Sequence, residues 1–220
     1  MNVLVVAPHR DDEVLGCGGT IAKHVKSGDT VSLCVVTTGL ASLFSAEMLQ
    51  ETDDQMRESC AYLGISQIFS LDFPAPRTDL EPKHRVADEI RKVILETKAE
   101  TIYLPHPGDL HFEHAIVFRA GLVAGRPVPG SPVKNIYVYE TLSETDWAPA
   151  MPHEAFLPTR FVDITDTLED KIAAMGKYKA QLKPAPSARS LESLRALATL
   201  RGGTVGVLAA EAFMVMREIA

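Results

Sequence analysis

The chain opens on a short apolar run, Val3-Leu4-Val5-Val6, of the length of a buried strand at residues 2–7. The spacing then changes to that of a helix. Val14, Leu15, Ile21, Ala22 and Val25 share one side of residues 13–27, and Gly28 supplies a stop. A β-branched stretch at 30–37 predicts a second strand. Residues 45–63 predict a second helix, carrying Met48, Gln55, Met56, Cys60 and Leu63 and ending at Gly64. A short strand at 68–73 leads into a Pro-rich loop at 73–79. Helix 83–98, strand 101–105, helix 114–124 and strand 135–140 continue the alternation.

Strand–helix–strand repetition is the signature of a mostly parallel sheet with helices on both faces. The expected fold is therefore α/β, a Rossmann-like three-layer α/β/α arrangement with a C-terminal helical extension. A single domain over 1–220 is expected, with 1–140 as its core. Residues 141–220 then complete the sheet, the pocket or an oligomer contact. In that last third, the pattern predicts a strand at 160–164 and a helix at 166–182. A Pro-containing break follows at 183–186, then helices at 187–200 and 204–219. The final helix carries Leu208, Ala209, Ala212, Phe213, Val215 and Met216 on more than one side. Such a helix is buried in the domain or in a homo-oligomer interface.

Charge and composition narrow the partners. With 22 basic against 29 acidic side chains the net charge is −7, and no long basic run is present. Nucleic acid and anionic membrane are poor partners for such a chain. No apolar stretch reaches the ~18 residues of a membrane span. The short N-terminal apolar run lacks a basic segment before it, so no signal peptide is expected. Cys17, Cys34 and Cys60 are widely spaced and without a C-x-x-C pair, as in buried, reduced thiols of a cytoplasmic protein.

Chemistry concentrates where two of the predicted strands end. After the first strand stand His9, Arg10, Asp11, Asp12 and Glu13; after the fourth come His106, Asp109, His111, Glu113 and His114. Carboxylates crowded together repel one another, and a bound cation removes that cost, so the clusters point to a metal site. Ligands in open α/β sheets also sit outside the C-terminal strand ends. His9 and Asp12 can reach one cation, which leaves Asp11 beside it to accept a proton. The third ligand is His111 or His114, which a spacing of three puts on one helical face. The other imidazole then polarises a substrate carbonyl or protonates a leaving amine. Asp109 and Glu113 are candidates to orient the imidazoles. Zinc in a hydrolase takes three such ligands plus water, and Fe²⁺ accepts the same donors. His24, His84 and His153 have no acidic or His partner beside them in a motif and are expected to be ordinary polar residues.

The segments VVAPHRDDEVLGCGG at 5–19 and HPGDLHFEH at 106–114 resemble the LmbE-like (PIG-L) family of metal-dependent N-deacetylases. So do RESCAYLG at 57–64 and the pair Tyr139-Glu140. The resemblance implies that His9, Asp12 and His114 bind zinc. It implies Asp11 as general base, and His111 as the group that stabilises the oxyanion or assists the leaving nitrogen. It also implies loss of an N-acetyl group from an N-acetylglucosamine-type sugar or conjugate, by attack of a zinc-bound water. Two positions depart from the family pattern: Arg10 stands where proline is usual, and Glu113 where aspartate is usual. Arg57 is the first candidate for an anionic part of the substrate, ahead of Arg10 and Arg77, and Glu140 for a sugar hydroxyl. Trp147 is a candidate pocket wall. Residues 201–213 resemble the C-terminal region of some bacterial members, which completes the site or a subunit contact. The competing reading is a non-catalytic Rossmann-like sugar-, nucleotide- or metal-binding protein. Gly16-Cys17-Gly18-Gly19 falls inside the helical pattern rather than before it, which removes a phosphate loop.

Overall fold

A computed structural model describes residues 1–149 and 151–219. Five parallel strands form most of its sheet: β1 (Asn2–Ala7), β2 (Thr30–Gly39), β3 (Gln67–Ala75), β4 (Thr101–Pro105) and β5 (Asn135–Tyr139). The helices between them are α1 (Asp12–Lys26), α2 (Ala46–Leu63), α3 (Lys83–Thr97) and α4 (Phe112–Ala124). The last third adds β6 (Arg160–Asp163), α5 (Leu168–Met175), α6 (Leu191–Gly203) and β7 (Ala210–Arg217). Strand order is β3-β2-β1-β4-β5-β7-β6, with β7 antiparallel to both of its neighbours.

The alternation of side chains along β1 divides the core. Val3, Val5 and Ala7 meet α1 and α2 through Leu15, Ile21, Met56 and Cys60, with Met175 and Tyr178 from the C-terminal third. Leu4 and Val6 point the other way, onto Val86, Ile90 and Ile94 of α3 and Val117 and Ala120 of α4. Burying a side chain of this size contributes about 1.5–3 kcal/mol. Local signals set the helix ends. Ser45 caps α2 by accepting from the Met48 amide at 3.2 Å, and Gly64 ends it in the left-handed conformation. Helix α1 carries Asp12 and Glu13 in its first turn and Lys23, His24 and Lys26 in its last, matching the helix dipole. All three cysteines are free and buried.

The predicted order of strands and helices holds through β5 and α4. The last third departs from it. The segment predicted as helix 204–219 is strand β7, so the helical extension consists of α5 and α6 alone. Its Ala210, Glu211, Ala212 and Phe213 are all buried, because β7 lies between two strands rather than at an edge. A strand covered on both sides loses its period-2 signature and mimics a buried helix. The helix predicted at 166–182 is shorter: α5 stops at Met175, where Gly176 follows and Tyr178 turns into the core. The helix predicted at 187–200 is α6, which begins after Ser190 accepts from the Ser193 amide at 3.1 Å.

Glu211 of β7 also reaches the middle of α1. The Gly19 and Thr20 amides donate to its carboxylate at 3.0 and 2.7 Å. Lys171 of α5 donates to the same carboxylate at 2.5 Å and to the Leu15 carbonyl at 2.8 Å. Both charged side chains are buried. None of the described residues forms a helix long and apolar enough to cross a membrane.

Candidate metal centre

Chain order reverses between β1 and β4: β2 and β3 lie to one side of β1, and β4 and β5 to the other. A crevice forms at such a point, outside the C-terminal ends of both strands. Both acid–imidazole clusters are delivered there.

After β1, the Pro8 carbonyl accepts from the Thr37 amide and hydroxyl at 3.1 and 2.8 Å, which fixes the turn to β2. Asp11 then takes a left-handed backbone, φ 108°, unusual for a residue with a side chain. Its carbonyl accepts the Val14 and Leu15 amides at 3.0 and 2.9 Å and so starts α1. This bend separates the two neighbouring carboxylates. Asp12 Oδ2 accepts from the His9 amide at 2.8 Å and lies 3.3 Å from both His9 Nδ1 and His114 Nε2. Asp11 turns instead to the Arg189 guanidinium.

After β4, the loop closes back so tightly that a Cβ on Gly108 would collide with the Glu154 carbonyl and come within 2.7 Å of His106 Nε2. His106 supports this loop, bonding the Glu154 carbonyl at 2.8 Å. Asp109 Oδ2 holds His114 Nδ1 at 2.7 Å, and Thr145 donates to the other Asp109 oxygen at 2.5 Å. The imidazole is thereby turned so that Nε2 faces Asp12. Ring nitrogens of His9, His111 and His114 lie within 4.8 Å of one another.

The residues fit a divalent cation. Asp12 Oδ1 and His114 Nε2 are buried without a hydrogen-bond partner, a costly arrangement unless something else satisfies them. Burial pushes Asp12 up, but His114 and His9 outweigh it and hold the carboxylate well below the usual range. For His114, burial pulls the imidazole down, yet Asp12 and Asp109 raise it to about 10. Positive charge is stabilised at this point. Burial raises Asp11, with Arg189 opposing. Burial also raises Glu13 to about 8 and Glu144 to about 7. His111 is lowered by burial and by the charges of His9 and His114.

Of the predicted residues, His9, Asp11, Asp12, Asp109, His111 and His114 converge. Glu113 is buried in the first turn of α4, and the orienting contact to His114 is made by Asp109. Arg57 lies on the exposed side of α2, tied to Asp53 at 2.7 Å. The same Asp53 holds Arg10 at 3.3 Å, and Thr38 is 3.4 Å from Arg10. Glu140 is engaged by Arg201 through two bonds of 2.8 and 2.6 Å. Both line a small cavity of about 10 Å³ together with Lys171 and Glu211. Trp147 is exposed.

Four participants lie outside the two motifs. Glu144 is buried and grips His111 twice, at Nδ1 (3.0 Å) and at the backbone amide (3.1 Å). Tyr178 donates to Glu13, whose other oxygen accepts from the Asp11 amide at 3.1 Å. Arg189 reaches Asp11, and Ser143 accepts from its Nε at 2.7 Å. A buried Glu 33 positions past the histidine it grips carries no local signature. These contacts come from tertiary structure alone.

Fold and cluster together define an α/β protein with a His/Asp metal-type centre at the sheet's crossover point. The chain belongs to the PIG-L family, described as GlcNAc-PI de-N-acetylase, whose pattern matches residues 4–124. Diacetylchitobiose deacetylase of Thermococcus kodakarensis is 28% identical over 193 residues, covering 81% of this chain and 69% of its own. The N,N'-diacetylchitobiose deacetylase structure from Pyrococcus horikoshii superposes with a TM-score of 0.78 at 24% identity, over 98% of this chain and 84% of that one. GalB of Pseudomonas putida, a 4-carboxy-2-hydroxymuconate hydratase, shares the fold at a TM-score of 0.76 and 18% identity, over 100% and 97% of the two chains. The fold alone therefore does not name the reaction.

Proposed function

We propose that this protein is a divalent-metal-dependent N-deacetylase acting on an N-acetylglucosamine-type amino sugar or its conjugate. The observation that carries this reading is the separation of two adjacent carboxylates: Asp12 turned to His9 and His114, Asp11 turned away from them. Family membership and the deacetylases among the relatives support it.

His9, Asp12 and His114 would hold the cation, Zn²⁺ or Fe²⁺, which supplies Lewis-acid polarisation of the amide carbonyl and acidifies water at the site. This trio is preferred to one containing His111 because Asp12 Oδ2 lies 3.3 Å from both His9 Nδ1 and His114 Nε2. Asp11 takes a proton from the attacking water. With Nδ1 held by Glu144, His111 presents Nε2 to the substrate, where it donates to the developing oxyanion or to the leaving nitrogen. The C–N bond breaks, and acetate and a free amine leave. Asp109 and Thr145 keep His114 in the tautomer that frees Nε2.

The test is release of primary amine from a panel of N-acetylated amino sugars and their phosphorylated or conjugated forms, by metal-loaded protein. Asp11→Asn is expected to keep its metal and lose turnover by about 100-fold, the scale of a general base. His114→Ala should lose the metal, and His111→Ala should retain it. Full turnover in Asp11→Asn overturns the mechanism. Metal binding without amine release from any of the panel overturns the activity in favour of a binding protein.

A further inference from the structure

Arg189 belongs to neither motif, yet it makes the only ion pair of Asp11 among the described residues. It arrives from the segment between α5 and α6, 178 positions along the chain from its partner. This segment is fastened on several sides. Tyr178 donates to Glu13, and the Ala180 amide donates to Gln55 of α2 at 3.2 Å. Within it, the Lys183 amide donates to the Arg189 carbonyl at 3.2 Å, and the Arg189 amide to the Ser187 hydroxyl at the same distance. The guanidinium is aimed as well: Nε donates to Ser143 at 2.7 Å and Nη1 to Gln181 at 3.2 Å. Ser143 has a left-handed backbone, φ 69°, in the same short stretch that delivers Glu144 to His111.

Asp11 and Asp12 are both buried, and both carboxylates would be drawn to a cation at the trio. What distinguishes them is what each oxygen meets. Asp12 meets imidazoles; Asp11 meets a guanidinium, a planar donor that fixes a carboxylate's direction as an ammonium does not.

We propose that Arg189 is the positioning residue of the site, gripping the Asp11 carboxylate so that it stands beside the metal-binding trio instead of joining it. The role rests on the functional reading above where turnover is concerned, because a base consumed as a ligand cannot take a proton from water. The grip itself is a property of the binding site and is measurable without substrate.

The experiment is a double-mutant cycle on metal affinity, measured by Zn²⁺ competition against a chromophoric chelator. It uses the wild type, Arg189→Ala, Asp11→Asn and the double variant, with Arg189→Gln as a second truncation. Thermal melts establish which variants are folded. Freeing Asp11 adds a donor, so Arg189→Ala should bind Zn²⁺ more tightly in the wild-type background than in Asp11→Asn. The expected excess is about tenfold, the scale of outer contacts to a metal site. Equal gains in both backgrounds, or no gain, overturn the proposal, because Arg189 then acts as a distant charge or not at all.

Turnover gives the second readout. A base displaced by about 1 Å costs on the order of 100-fold. Arg189→Ala should therefore lower kcat by that factor with KM little changed, and added guanidinium ion should restore part of it. Unchanged or increased kcat refutes the positioning role. Absence of amine release by the wild type would refute the deacetylase reading alone, and the affinity cycle would still decide on Arg189.

Discussion

The buried Lys171–Glu211 pair permits a sharp energetic prediction, because its two members have unequal obligations. Glu211 serves three donors: the Lys171 ammonium at 2.5 Å and the Gly19 and Thr20 amides at 3.0 and 2.7 Å. Lys171 serves Glu211 and the Leu15 carbonyl. Breaking a buried pair from one side costs about 3–5 kcal/mol, since the surviving charge is left without its partner. In Lys171→Met the carboxylate keeps two backbone donors, which places the loss near the lower figure, about 3 kcal/mol. In Glu211→Leu the ammonium is stranded and the Gly19 and Thr20 amides lose their bonds to a charged acceptor, each worth about 1.5–3 kcal/mol. A loss of at least about 5 kcal/mol follows, although water reaching the stranded groups limits simple addition. Removing both side chains as Lys171→Met/Glu211→Leu eliminates the stranded charge, so the double variant should be more stable than Glu211→Leu alone. For a chain of this size, about 3 kcal/mol corresponds to a fall in Tm of about 6–12 °C. Urea and thermal unfolding followed by circular dichroism measure all four proteins. A Glu211→Leu variant within about 1 kcal/mol of wild type, or a double variant less stable than either single one, would refute the reasoning.

Asp109→Asn, which removes the charge that orients His114, should weaken Zn²⁺ binding about 10–100-fold, read by chelator competition. Gly16→Ala would drive a methyl group into the Tyr139 ring, whose hydroxyl bonds the Val6 carbonyl at 2.9 Å; the expected cost is about 1–3 kcal/mol in urea unfolding. Stripping divalent metal with a chelator should lower Tm, and readdition at 100 times its Kd should restore about 2.7 kcal/mol; a Tm indifferent to metal would speak against a cation at Asp12 and His114. Glu144→Gln keeps the shape but not the charge that grips His111, so metal content should hold while kcat falls, measured by metal analysis and amine release.

The parallel half of the fold was legible because its signals are local. Apolar runs of strand length alternate with helical spacing, and Gly28 and Gly64 mark the exits. The acid–imidazole cluster was legible for the same reason: five of its six converging side chains fall within His9–Asp12 and His111–His114, beside strand ends. What escaped was non-local. Glu144, Tyr178 and Arg189 acquire their meaning from partners 33, 165 and 178 positions away. Strand β7 escaped because burial on both faces erased its alternation. Arg57 and Glu140 were placed at the site by position along the chain, and their pairing with Asp53 and Arg201 had no local signal.

The place of β7 in the sheet also sets an order of events in time. It is the last strand among the described residues, yet it lies inside the sheet, and among those residues β6 pairs with β7 alone. On the ribosome, β1, β2, β4 and β5 can pair as soon as they emerge, bringing His9, Asp12 and His114 together early. The stretch that carries Arg189 hangs between β6 and β7 and is anchored at both ends only once β7 has been made. A nascent chain would thus acquire its cation-binding residues before the arm that restrains Asp11, and ribosome-bound chains stalled ahead of β7 are the material in which to see it.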